Sequence, residues 1–133
     1  MNQSYYDPKN LQKIPELVKL APEAATSFFE FENNVYYASD LIPPKTKELI
    51  AIAVAHITGC PYCIDVHVKK GKSLGATKEE IFGAVLIAAS TRAGAVLSHA
   101  THALNAYDEE QRASGETAAP SSSASASPPD CFC

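Results

Sequence analysis

The segment of residues 48–67 constrains the fold most strongly, because its pattern predicts two helices joined by a tight turn. The apolar run Leu49–Ile57 continues to Gly59, a residue type that commonly terminates helices. Pro61 follows closely and suits the first position of a second helix, so Cys60 is the predicted N-cap. A cysteine is therefore expected at the turn between two consecutive helices.

Two thiols and an imidazole fall at this turn with the spacing of a redox site. Cys60 and Cys63 are separated by two residues, Pro61 and Tyr62, in a Cys-x-x-Cys motif. At this spacing two sulfurs can cycle between dithiol and disulfide. The unpaired N–H groups and the positive end of the helix dipole favour a thiolate there. His67 follows Cys63 by four residues, one helical turn away on the same face, and is the expected base for Cys63.

Helix geometry decides whether Glu48 reaches this site. Glu48 precedes Cys60 by twelve residues, which is roughly 18 Å of helix, and an antiparallel second helix brings His67 back by roughly 10 Å. The remaining gap of roughly 8 Å can be spanned by the two side chains, or through one water. We therefore predict a Glu48–His67–Cys63 relay. The alternative is that Glu48 is a solvated first-turn acid that only stabilises its own helix.

The spacing of Glu48, Cys60, Cys63 and His67 resembles the alkylhydroperoxidase D-like branch of the carboxymuconolactone decarboxylase family. The resemblance covers roughly residues 20–110. It implies an all-α helical bundle of the alkylhydroperoxidase D-like type, assembled as a homotrimer or homohexamer.

One position departs from the peroxidase members of that branch. The resemblance implies a second histidine between the two cysteines, whereas this chain has Tyr62. Lactone decarboxylase members of the family typically lack the cysteine pair, so the two thiols favour the redox branch.

These features together predict a thiol-dependent peroxidase or a related disulfide oxidoreductase. Glu48 draws a proton from His67, which deprotonates Cys63, and the thiolate attacks the terminal peroxide oxygen to give a sulfenic acid. Cys60 then resolves this acid to a disulfide, and the opposite assignment of the two cysteines stays open. The resemblance implies a small hydroperoxide substrate and an external dithiol reductant, a lipoyl- or thioredoxin-like protein. No cofactor or metal is expected.

Two other classes of function remain open at this point. A carboxymuconolactone-type decarboxylase acting on a small lactone acid would use His67 and Glu48 for acid–base chemistry, with the thiols as bystanders. The other class is a non-enzymatic oligomer that senses redox state or binds zinc. In the zinc case the ligands would be the two cysteines and two of three histidines, His67, His99 and His102.

Helix signals dominate the rest of the chain, which predicts one helical domain over residues 1–111. From residue 112 to 133 the composition changes to Ser, Ala and Pro, which predicts a disordered tail with an exposed Cys131-Phe132-Cys133 end. The alternatives for that end are a reactive thiol pair or a lipidated terminus. The predicted helices run from Leu11 to Leu20, Pro22 to about Ser39, Pro44 to Thr58, Pro61 to about Ser73, and Thr77 to roughly Gln111 with a break near Thr91–Gly94.

Net charge and hydropathy limit the classes of partner that the chain is expected to bind. A net charge of −4 and a pI near 5.5 argue against nucleic acid. The N-terminus lacks the pattern of a secretory signal, so a cytoplasmic protein is expected. No membrane span is expected, because the run 49–57 is too short and the run 81–97 is interrupted by Ser90, Thr91 and Arg92. Both runs are apolar nearly all round, which predicts a subunit interface.

Overall fold

The computed structural model describes residues 4–115, and each regular element in this range is helical. The all-α prediction is therefore confirmed. The predicted tail covers residues 112–133, and its residues 116–133, with the end Cys131-Phe132-Cys133, lie outside the described residues. The elements are a 3₁₀-helix Pro8–Lys13, α1 Ile14–Leu20, α2 Pro22–Asn33, a π-helical turn Asn34–Ala38, α3 Pro44–Thr58, α4 Pro61–Ser73 and α5 Lys78–Ala113.

Proline and glycine set the limits of the two central helices. α3 and α4 begin at Pro44 and Pro61, where the missing N–H of proline removes no helical hydrogen bond. α3 ends at Gly59, whose φ of 66° and ψ of 42° lie in the left-handed region that glycine tolerates. The predicted bounds of both helices are confirmed.

A capping box starts α5. The backbone N–H of Thr77 donates to the Glu80 carboxylate at 2.9 Å, and the backbone N–H of Glu80 donates to the Thr77 hydroxyl at 3.1 Å. Lys45 of α3 also contacts Glu80 at 2.8 Å. The hydrogen bonds from Lys45 and Thr77 lower the pKa of the Glu80 carboxyl.

The predicted break in the last helix is wrong. α5 continues without interruption through Thr91–Gly94 to Ala113. No proline lies in this stretch, and a glycine inside a helix costs only about 1 kcal/mol relative to alanine, which the flanking turns can offset. Ser90, Thr91 and Arg92 also fail to exclude a membrane-length apolar helix. Among the described residues, α5 is long and apolar enough to cross a membrane, a test that core helices of soluble proteins also pass.

Contacts within the chain group its residues into two units, and the boundary along the chain lies between Ala88 and Ala89. In the first unit, α3 and α4 pack as an antiparallel hairpin, with Gly71 near the end of α4 lying against the start of α3. A Cβ at Gly71 would be only 3.6 Å from the Cβ of Glu48 and from Ile52 Cδ1. The buried side chains of α3 are Lys47, Glu48, Ile52 and Ala55, so residues 48, 52 and 55 lie on its inner face.

The second unit, described from residue 89 to 115, consists of the C-terminal part of α5 and the turn after it. Its large apolar side chains are exposed, and they are Val96, Leu97, Leu104 and Tyr107. The first unit shows the same feature at its surface, including Phe28, Phe31, Val54 and Phe82. Among residues 4–115, large apolar side chains are therefore more often exposed than buried.

Candidate active site

The two cysteines meet at the start of α4. Cys60 is the N-cap, as predicted, and its sulfur accepts a hydrogen bond from the backbone N–H of Cys63 at 3.3 Å. The two Sγ atoms are paired as a disulfide, with the Cα atoms 5.3 Å apart, inside the range that disulfides span. The backbone of the turn therefore already places the two cysteines at a distance that a disulfide can bridge.

Glu48 and His67 are in direct contact across the hairpin. Glu48 Oε2 lies 2.6 Å from His67 Nδ1, and only 5% of the Glu48 side chain and 13% of the His67 side chain are exposed. The two side chains therefore span the predicted gap of roughly 8 Å by direct contact, which is one of the two possibilities that helix geometry left open. Gly71 lies against the start of α3 at this level of the hairpin. Glu48 is also not the solvated acid of the alternative interpretation.

The contact fixes the roles of the two imidazole nitrogens. An ionised carboxylate only accepts hydrogen bonds, so Nδ1 of His67 carries the proton that Glu48 accepts. In the neutral ring, Nε2 is then the nitrogen that can accept a proton. This is the arrangement that a histidine general base requires.

Cys63 and His67 line one cavity of about 290 Å³ in the first unit. Cys60 is not among its described lining residues, so of these two cysteines Cys63 is the one that borders the cavity. The wall is largely aliphatic, with Val35, Ile42, Ile50, Ala51, Val54 and Ala55, and its other polar members are Tyr36, Lys47 and Thr58. The cavity can therefore hold a small, partly apolar molecule beside Cys63 and the His67 imidazole.

Lys47 is a site residue that the sequence did not reveal. It is 9% exposed, and its ammonium donates hydrogen bonds to the backbone carbonyls of Tyr36 and Ser39. These bonds tie the π-helical turn to the start of α3. In the sequence, Lys47 resembles any solvated lysine of a first helical turn, and only the fold of the preceding turn over it explains its burial.

Tyr36 is the second residue that the sequence analysis missed. Its ring stacks on the His67 imidazole, with ring centroids 5.4 Å apart and planes inclined by 24°. Burial, followed by the nearby negative charge of Glu48, raises the pKa of Tyr36 above its ordinary value. The residue is therefore a neutral phenol at physiological pH.

Tyr62 points its polar end toward the N-terminal segment. Its hydroxyl accepts a hydrogen bond from the Asn10 amide at 2.8 Å and donates one to the Tyr5 carbonyl at 3.2 Å. The Tyr6 ring packs edge-on against it at 5.6 Å. Tyr62 is not among the residues that line the cavity, so it does not take the place of a second histidine there.

The histidines considered for zinc lie in different units. His99 and His102 are exposed on α5 in the second unit, with ring centroids 5.6 Å apart, whereas Nδ1 of His67 is held by Glu48 in the first. Within residues 4–115, no cluster of three or more His, Cys, Asp or Glu side chains is close enough to hold a metal ion.

Sequence comparison places this site in a family. The model of the carboxymuconolactone decarboxylase family matches residues 22–106, well over half of the chain. The chain belongs to the carboxymuconolactone decarboxylase family. The matched region contains the four residues of the site, and the resemblance inferred from their spacing is thereby confirmed.

Three relatives refine this assignment. "Uncharacterized protein 4 in cox locus" of Paracoccus denitrificans is 48% identical over 77 residues, which are 58% of this chain and 69% of that protein. "Uncharacterized protein YdfG" of Bacillus subtilis is 33% identical over 64 residues, 48% of this chain and 42% of the relative. "Alkyl hydroperoxide reductase AhpD" of Corynebacterium kroppenstedtii is 51% identical over 43 residues, 32% of this chain but only 25% of the relative. The last similarity supports the AhpD-like branch.

Proposed function

We propose that this protein is a thiol-dependent peroxidase that reduces small hydroperoxides through a Cys60–Cys63 dithiol/disulfide cycle. The observation that carries the proposal is the direct, buried contact between Glu48 and His67, on a histidine that shares a cavity with Cys63. Similarity to an alkyl hydroperoxide reductase supports the same reaction class.

The first half of the cycle oxidises one thiol. His67, with Nδ1 held by Glu48, takes the proton of the Cys63 thiol on its other nitrogen. The thiolate attacks the terminal oxygen of the hydroperoxide, so the O–O bond breaks and an S–O bond forms. The product is a Cys63 sulfenic acid, and the departing alkoxide takes up a proton to leave as an alcohol.

The second half restores the thiol. The Cys60 sulfur attacks the Cys63 sulfenic sulfur, which releases water and forms the disulfide seen in the structure. Two electrons and two protons from an external dithiol then reduce the disulfide, and the partner leaves as its own disulfide. A lipoyl- or thioredoxin-like protein is the kind of reductant that this exchange requires.

The assignment of attack to Cys63 follows from access. Cys63 lines the cavity with His67, whereas Cys60 caps the helix and accepts a hydrogen bond from the Cys63 backbone. A cavity with an aliphatic wall suits a hydroperoxide with a small organic group better than a charged substrate. We place this activity in the cytoplasm, where a reductant can keep the dithiol cycling.

Thiol titration after stoichiometric peroxide tests the proposal. Wild-type protein is expected to lose two thiols per chain, and mass spectrometry of the digest should show the Cys60–Cys63 linkage. Cys60→Ser should stop at the sulfenic acid of Cys63, which dimedone traps.

Cys63→Ser is the matched variant, and it should consume no more peroxide than the protein with both cysteines replaced. Free Cys60 and Cys63 after peroxide treatment of the wild type would overturn the proposal. So would carbon dioxide release from a small lactone acid that persists in the variant lacking both thiols, because it would identify a decarboxylase.

A further inference from the structure

We propose that Tyr36 is a positioning residue, whose ring holds the imidazole plane of His67 in the orientation that keeps Nδ1 on the Glu48 carboxylate. This inference rests on the proposed thiol chemistry, in which His67 must present its second nitrogen to a proton of Cys63. It adds a residue that neither the motif nor its spacing contains.

A single hydrogen bond leaves the imidazole incompletely fixed. The contact between Glu48 Oε2 and His67 Nδ1 holds one edge of the ring at 2.6 Å but leaves rotation about that contact free. The terminal torsion of histidine is broad, so the ring needs a second support to stay in one plane. Tyr36 supplies it, because its ring lies nearly parallel to the imidazole at 5.4 Å between centroids.

Tyr36 is itself held on two sides. Its backbone carbonyl accepts a hydrogen bond at 3.2 Å from Lys47, whose buried ammonium also binds the Ser39 carbonyl. The Lys70 ammonium of α4 lies 5.7 Å from the centroid of the Tyr36 ring. The support under His67 is therefore anchored to α3 through the backbone of the turn and to α4 through a cation.

The charged and titratable groups near His67 and Tyr36 come from four elements, and they are Lys47 and Glu48 of α3, Lys70 of α4, Glu32 of α2 and Tyr37 of the π-helical turn. Glu48 on α3 contacts it directly, Lys70 on α4 lies near the stacked tyrosine, and Tyr36 on the π-helical turn is neutral. The Tyr36 hydroxyl makes no contribution to the stacking itself. The ring is therefore the part of Tyr36 that holds His67, and phenylalanine is expected to replace tyrosine without loss.

The pH profile of Cys63 alkylation tests this role in the 133-residue chain. The variants carry Cys60→Ser, Cys131→Ser and Cys133→Ser, so that Cys63 is the remaining thiol of the four. Tyr36→Leu is expected to slow alkylation near neutral pH about three- to tenfold, the range to which an aromatic pair corresponds. The rate should recover at alkaline pH, where the thiol ionises without a base. Tyr36→Phe should follow the parent curve.

Tyr37→Leu is the matched control. Tyr37 lies on the same turn, and the Lys70 ammonium is 5.6 Å from its ring, but it does not stack on His67. Its removal should leave the alkylation profile unchanged. A change in cavity access alone would alter the rate equally at every pH, which separates access from the action of the base.

Proton NMR of the His67 imidazole gives a second readout. The hydrogen-bonded Nδ1 proton should stay sharp in Tyr36→Phe and broaden in Tyr36→Leu. Circular dichroism establishes that each variant is folded. If Tyr36→Leu does not unfold cooperatively, Tyr36→Met takes its place, because methionine fills similar space without a ring.

Three results would overturn the inference: a Tyr36→Leu profile that superimposes on the parent curve, a Tyr36→Phe loss equal to that of Tyr36→Leu, or an equal loss in Tyr37→Leu. Glu48→Gln, measured in the same series, separates this from failure of the proposed function. A shift in Glu48→Gln without one in Tyr36→Leu removes Tyr36 alone, whereas unchanged profiles in both remove the relay.

Discussion

At the residue scale, burial and hydrogen bonding distinguish Lys47, which lines the cavity of the candidate site, from its neighbour Lys45. Lys45 and Lys47 occupy the same helical turn, yet Lys45 is about half exposed in an ion pair with Glu80, whereas Lys47 is buried on two backbone carbonyls. Lys47→Met should lower the free energy of unfolding by about 1–3 kcal/mol, because it leaves carbonyls without a donor. Lys45→Met should cost less than about 1 kcal/mol, as exposed ion pairs do. Urea unfolding of both variants measures the difference, and equal losses would contradict it.

At the element scale, the turn between α3 and α4 places the cysteines, and Gly59 closes α3 in a left-handed conformation. Gly59→Ala should destabilise the protein by about 1–2 kcal/mol, since a Cβ disfavours this conformation whatever space surrounds it. Gly83→Ala, inside α5 where a Cβ would meet no atom within 4 Å, should instead stabilise it by about 0.5–1 kcal/mol. Thermal unfolding reports both values. A destabilisation of equal size at the two positions would refute this account of the turn.

At the scale of the whole molecule, the exposed apolar side chains predict burial against further copies of the chain. Few apolar side chains are buried within residues 4–115, while aromatic and aliphatic side chains are exposed on α2, α3 and α5. We predict a homotrimer or homohexamer that buries these faces, and the stoichiometry comes from the family resemblance. Light scattering at micromolar concentration should give three or six times the chain mass of 14.2 kDa. A mass near 14 kDa would contradict the prediction.

The sequence predicted the helices best where local chemistry defines their ends. Pro44, Gly59 and Pro61 each act within one turn, so the bounds of α3 and α4 follow from the sequence. The break in α5 was predicted wrongly, because small and polar residues near Gly94 weaken a helix without ending it.

The four candidate residues of the motif were predicted from their spacing, and the structure brings Glu48 into contact with His67 and Cys60 into contact with Cys63. Tyr36 and Lys47 were not found, because their places depend on how the π-helical turn folds over α3. Their contacts are tertiary, and no period along the chain encodes them. Spacing also left open whether Glu48 meets His67 directly or through a water, and the tertiary packing of α4 on α3 brings the two side chains into direct contact.

The central claim is that Glu48 makes His67 the base of Cys63, and the pH profile of Cys63 alkylation tests it most directly. Glu48→Gln keeps the size of the side chain and its hydrogen-bonding capacity but removes the charge that strengthens the base. Near neutral pH the rate should fall at least about tenfold, a small part of a typical general-base contribution, and it should recover at alkaline pH. Glu80→Gln is the control, because Glu80 is an acid that serves the α5 cap and glutamine can replace it there. Superimposable profiles for wild type and Glu48→Gln would contradict the account.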